Sequence, residues 1–126
     1  MRFLSDEHFA AANAAFLMDA ELQRSLPGVT LAIVYSVSDA PDGDFVYHIR
    51  IADGAVRMRS GDLAEYDAEV RSSYDTAARI SRAELGNQTA VMMGKVRIKG
   101  AMVKLIRHQG VLNRVQALSA GIGVGY

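Results

Sequence analysis

The chain has 126 residues, half of them apolar, with 14 basic side chains against 14 acidic ones and no cysteine. That length serves about one domain whose core needs no staple, and the charge balance gives no electrostatic ground for a nucleic-acid partner or an anionic membrane. The absence of cysteine excludes thiolate catalysis, zinc–thiolate sites and disulfides together.

Ser5 is placed as an N-cap, with Asp6 and Glu7 against the positive helix end. The spacing of Phe9, Ala12, Phe16 and Ala20, with Ala11, Ala15, Met18 and Leu22 on a second face, predicts a helix to about Arg24, closed by Pro27-Gly28. Val29, Leu31, Ile33, Tyr35 and Val37 then alternate with polar residues, the period of a strand. A turn over residues 39–44 returns the chain through Phe45, Tyr47, Ile49 and Ile51, so the two strands form a hairpin. Asp53-Gly54 turns it again into a strand over residues 55–59. A fourth strand follows over residues 68–73, then a short helix capped by Asp75 and another capped by Asn87 and ended by Gly94.

Residues 90–106 read AVMMGKVRIKGAMVKLI: a Met-rich turn, a strand with alternating basic residues, and a second apolar helix opened by Gly100. Gly110 splits the terminal helical region, with Val111, Val115, Leu118 and Ile122 continuing at helical spacing; the tail is too glycine-rich to extend it. The expected fold is a single α+β domain, residues 1–126, with a five-stranded, mostly antiparallel sheet and helices covering one face. No apolar leader opens the chain and no run of eighteen apolar residues occurs, which points to a soluble, cytoplasmic protein.

No catalytic constellation is legible. Three histidines, His8, His48 and His108, stand apart with no i, i+4 partner, so neither a metal site nor a cofactor is expected. Nucleophile elbows, Walker loops and dinucleotide glycine patterns are absent. An enzymatic alternative is a small isomerase or cyclase with an apolar pocket, which needs an acid or base such as Asp19 or His48 at the cavity mouth.

The segment Gly94-Lys95-Val96-Arg97-Ile98-Lys99-Gly100, with Met102 and Leu105 beyond it, resembles the sterol carrier protein type 2 (nonspecific lipid-transfer) domain family. Ile49-Arg50-Ile51-Ala52-Asp53-Gly54 and Asp67-Ala68-Glu69-Val70 fit the same order of elements. The resemblance implies a tunnel between sheet and helices that takes a sterol, fatty acid, acyl-CoA or isoprenoid lipid without chemistry. The neutral charge and the Gly-Val-Gly-Tyr end depart from the basic animal members and their peroxisomal tripeptide.

A lipid site needs enclosed aliphatic surface, and methionine adapts to variable ligands. The candidate walls are Met92, Met93, Met102, Leu105, Ile106, Val115 and Leu118 from the helices, with Phe45 and Tyr47 from the sheet. The same stripes serve plain core packing equally well. Lys95, Arg97 and Lys99, extended by Lys104 and Arg107, suit a phosphate, a lipid headgroup or transient membrane contact, and equally an ordinary solvated strand face. A homodimer seam or a docking face for an enzyme of lipid metabolism is a further alternative for the apolar helix faces.

Overall fold

Alternating apolar residues from Leu31 onward build the centre of the molecule. In the computed structural model, which describes residues 1–126, β1 (Leu31–Ala40) pairs antiparallel with β2 (Gly43–Ala52), setting Ile33 opposite Ile49 and Tyr35 opposite Tyr47. Asp53 and Gly54 turn the chain into β3 (Ala55–Ser60) with φ of 51° and 75°. Positive φ at both central residues is what a tight hairpin between right-twisted strands requires. β4 (Ala68–Ser73) lies parallel to the other side of β1, and β5 (Val96–Gly100) closes the far edge antiparallel to β4. The order is β3-β2-β1-β4-β5, mostly antiparallel with one parallel pair.

To reach β4 the chain must cross from the β3 edge over β2 and β1. Residues 61–67 do so on the outward face: the Gly61 carbonyl lies 2.8 Å from His48 Nδ1, and Asp67 N–H donates to the Ala32 carbonyl at 2.8 Å. That crossing accounts for the burial of Val34 and His48, both on the face away from the helices.

Ser5 caps α1 (Asp6–Met18) as the sequence predicts, its Oγ accepting the His8 N–H at 3.1 Å. The helix does not run on to Arg24. Asp19 takes an extended conformation, φ −90° and ψ 107°, and its carboxylate accepts the Leu22 N–H at 2.9 Å, which starts α2 (Ala20–Ser25) afresh. α3 (Tyr74–Ser81) is capped by Ser73 through the Thr76 N–H, upstream of the expected Asp75, which lies inside the first turn. α4 (Asn87–Met92) follows Gly86, with no side-chain cap from Asn87, and Gly94 ends its turn at φ 74°. The terminal region divides at His108 into α5 (Met102–Arg107) and α6 (Gln109–Ala120). Gly110, the expected break, sits inside the first turn of α6. The tail leaves α6 through a turn at Gly121, and Gly125 bridges Arg2 in parallel.

The inner sheet face carries Leu31, Ile33, Ile49, Ile51, Val56, Met58 and Ala68, all at most 7% exposed. α1 lays Phe9, Ala12 and Phe16 on it, and α6 adds Val111 and Val115 to the same cluster of 18 buried residues. The only buried polar side chains in the chain are His8, His48 and Thr76.

Candidate ligand site

Strand register places Tyr47, Tyr35, Val70 and Ile98 in one row across the inner face, from β2 through β1 and β4 to β5. Side chains on three interior strands beneath covering helices should be sealed. Tyr47, Tyr35 and Val70 on those strands are only partly buried, as is Ile98 on the edge strand β5. The adjacent row, Ile49, Ile33 and Ala68, is closed at 7%, 2% and 0% exposure. Partial burial thus runs along this row and on to Phe45 and Ser72 on the same face, while the row on its other side is sealed. Leu112 and Leu118 of α6, and Tyr74 at the start of α3, are likewise partly buried against the core.

The row has a polar end. The Tyr35 and Tyr47 rings stack with centroids 4.7 Å apart and planes 6° from parallel. Phe9 lies 5.4 Å and Phe45 6.2 Å from the Tyr47 ring. Burial pushes the Tyr35 phenol up to about 12, and burial together with the neighbouring Tyr35 pushes Tyr47 further still. Neither hydroxyl makes a hydrogen bond, to the other or to any group of the chain. The one sealed, unpartnered side-chain polar atom is His8 Nε2, so both phenol oxygens reach accessible space. His8 itself accepts the Leu4 N–H at Nδ1 over 3.0 Å. Burial lowers its pKa, opposed by the Ser119 carbonyl.

The residues predicted as walls divide into two sets. Leu105 and Val115 are buried in the core cluster, and Leu118, Phe45 and Tyr47 are partly buried against it. Met92, Met93, Met102 and Ile106 stand outside, 87%, 58%, 44% and 66% exposed. α4 turns Ala90 inward, fully buried, and Met92 two positions on faces away at about 200° around the helix. α5 turns only Leu105 inward, leaving Met102, Val103 and Ile106 exposed. Val70 and Ile98 carry no sequence signal of a site; Tyr35, like Tyr47, Tyr66 and Tyr74, could orient a ligand, though packing is the commoner role of a tyrosine. Counting back from the Pro41-Asp42 turn sets Tyr35 opposite His48, and only the irregularity between Val37 and Ala40 shifts the pairing by one place and brings it opposite Tyr47.

Asp19 and His48, the candidate acid and base, lie elsewhere. The Asp19 carboxylate accepts from Arg114 at 2.6 and 3.0 Å and from Leu22 N–H, and these bonds hold it down to about 2. His48 is on the outward face, bonded to Gly61. No three His, Asp or Glu side chains converge as a metal set.

Arg97 and Lys99 also face outward, opposite Arg71 and Glu69. Lys104 does not extend them: its ammonium is bonded to Asp67 at 2.8 Å. Burial pushes the Asp67 carboxyl up, but the Lys104 ammonium and the Ala32 N–H outweigh it and hold the group below the usual range.

Two open depressions mark the surface around the helices. One, about 320 Å³, lies between α1 and β3 and is lined by Asp6, Asn13, Arg59 and Ser60 beside Phe9 and Met58. The other, about 430 Å³, lies where α2 meets the corner of α5 and α6, among Glu21, Ser25, Arg107, His108 and Arg114. Both are open and carry charged side chains in their walls, unlike the enclosed apolar site that a hydrocarbon needs. No helix is long and apolar enough to cross a membrane.

A model of the SCP-2 sterol transfer family matches residues 12–113. No curated protein matches the chain. Among solved structures, a conserved hypothetical protein of Thermus thermophilus is 14% identical, with a TM-score of 0.79 over 99% of this chain and 92% of that one. Palmitated SCP2L2 of Aedes aegypti is 13% identical, with a TM-score of 0.64 over 98% of this chain and all of that one. The stereoselective inverting sec-alkylsulfatase Pisa1 from Pseudomonas sp. is 21% identical, with a TM-score of 0.56 over 77% of this chain, but the match spans only 14% of the sulfatase. These likenesses are to the fold.

Proposed function

The chain belongs to the SCP-2 sterol transfer family, and on that premise we propose that it binds a hydrophobic ligand between the inner sheet face and the covering helices and carries it chemically unchanged. The observation that supports this reading is the partly exposed row Tyr47, Tyr35, Val70 and Ile98 in the middle of the inner face, beside the sealed row Ile49, Ile33 and Ala68. Leu112 and Leu118 of α6 supply the opposite wall. Leu105 and Val115 support it from the core.

Magnitudes favour a long ligand. Association costs about 4–15 kcal/mol in lost freedom, and burying each methylene returns about 0.8 kcal/mol. A dozen methylenes return about 10 kcal/mol and sixteen about 13, the upper part of that range, whereas three or four return less than its lower end. Catalysis is no part of the reading, because the carboxylate, histidine and basic side chains of the chain lie off the row.

The test is extraction of the purified protein with organic solvent and mass spectrometry of the extract, followed by titration of the stripped protein with a long-chain lipid. The expected result is about one lipid per chain, recovered or rebound. An empty extract together with no uptake would overturn the proposal.

A second reading is contact with a partner, favoured by the exposed apolar side chains Met92, Met93, Val103 and Ile106. The fold also forms a small part of the sec-alkylsulfatase chain. In that reading the protein is an accessory or self-associating unit beside an enzyme of lipid metabolism. Light scattering on the eluting protein distinguishes a monomer from a dimer.

A further inference from the structure

We infer that the stacked Tyr35–Tyr47 pair is the polar anchor of the ligand site, and that it selects lipids ending in an uncharged oxygen, a hydroxyl or a carbonyl, over ionised carboxylates. The inference rests on the carrier reading and makes it more specific.

The first ground is that the fold does not use these hydroxyls. Both phenols sit on the inner face, at the centre of the sheet, where side chains otherwise have apolar ends. Neither oxygen donates to or accepts from the chain, although both reach accessible space. A tyrosine in such surroundings ordinarily finds a partner for its hydroxyl. Phenylalanine would fill the same positions without leaving a polar group idle. Two idle donors side by side in an apolar site are arranged for an acceptor that arrives with the ligand.

The second ground is the absence of positive charge. The paired inward positions of the five strands carry apolar residues, two tyrosines, and Ser60 and Ser72, with no charged side chain. Among buried polar side chains, His48 faces outward and Thr76 is uncharged. His8 is kept neutral by burial, with its Nδ1 already engaged by Leu4. The cations of β5, Arg97 and Lys99, are on the far face, and Lys104 is held by Asp67. A carboxylate drawn into the row would lose its water and meet no counter-charge, which is the costly case for a buried ion. The same surroundings already resist negative charge on the phenols themselves, both of which are shifted upward. An uncharged oxygen needs only donors, and the pair offers two.

The test compares three sixteen-carbon probes delivered from cyclodextrin at pH 9: hexadecane, methyl palmitate and palmitate. Each is titrated into the unmodified protein and into the Tyr35→Phe/Tyr47→Phe double variant. Two neutral hydrogen bonds correspond to a loss of about tenfold in affinity for methyl palmitate in the double variant, with hexadecane unchanged. On the unmodified protein, palmitate is expected to bind at least about tenfold more weakly than its methyl ester. The ligand-free double variant should be no less stable than the parent, since the hydroxyls it loses hold nothing. Equal losses for hexadecane and the ester would make the tyrosines mere walls and overturn the inference. So would an unchanged affinity for the ester, or ionised palmitate bound as tightly as the ester. Should the double variant not fold, the inference is wrong about the idle hydroxyls, and the comparison of palmitate with its ester still reads out the charge preference. Uptake of none of the probes by the unmodified protein would instead remove the carrier reading beneath it.

Discussion

A methyl group at Gly100 would collide with the Asp67 carbonyl oxygen and stand 2.8 Å from the Cα of Ala68, at a φ of +120° that side chains rarely adopt. The crowding has a purpose. The Asp67 carboxylate accepts the Ala32 N–H and the Lys104 ammonium, each at 2.8 Å, and its carbonyl accepts the Ala101 N–H at 2.9 Å. One residue thus fastens the starts of β1 and β4 to the end of β5 and to α5. Gly100→Ala should cost about 3 kcal/mol from overpacking and strain together, read as a lower urea midpoint at unchanged slope; a variant as stable as the parent would contradict that geometry. His8 makes a second prediction at this scale. Burial lowers its folded pKa below the unfolded value of about 6.5. The unfolded chain therefore binds more protons between the two values, and stability must fall as pH drops through that window, being fully present above it. Asp19 and Asp67 do not confuse the reading: Asp19 is held at about 2, and Asp67 is held below the usual carboxylate range. Urea midpoints should decrease from about pH 7.5 to about pH 5, and His8→Leu should flatten the decrease; identical slopes would exclude His8 as its source.

At the scale of elements, two side chains of α1 reach the sheet edge: Asp6 accepts from the Ser60 hydroxyl at 3.4 Å, and Asn13 holds the backbone of β3. Asn13 donates to the Met58 carbonyl at 3.0 Å and accepts the Met58 N–H at 2.8 Å, taking the place of a sixth strand on β3. Losing both bonds in Asn13→Ala should cost about 1–3 kcal/mol, and faster amide exchange should be confined to β3; an unchanged Met58 amide would contradict it. The strands were legible because period-two alternation is strong over residues 31–37 and 45–51, and because Asp53-Gly54 fixes a tight turn. The break in the first helix was not. Residues 16–22 keep a helical pattern through Asp19, and the Arg114 that holds its carboxylate is remote in sequence. Gly110 misled in the opposite sense: a glycine in a helix costs only about 1 kcal/mol against alanine, and α6 absorbs it while the chain bends at His108. Met92, Met93, Met102 and Ile106 looked like walls because their composition suits a lipid site, yet short helices turn only one residue each inward, Ala90 and Leu105.

For the whole molecule, the family was legible in the segment over residues 94–100, whereas the position of the loosely packed row was not. The row depends on which residue of β1 faces which residue of β2, β4 and β5, and a slip of one place would send Tyr35 to the outward face. The central claim is that this row is where the ligand lies. Methyl stearate carrying a nitroxide on its chain, added to the protein with side-chain methyl signals assigned, tests it most directly. Paramagnetic broadening is expected at Val70, Ile98, Leu112 and Leu118 ahead of all other methyls; broadening limited to Met92, Met93, Val103 and Ile106 would place the ligand elsewhere.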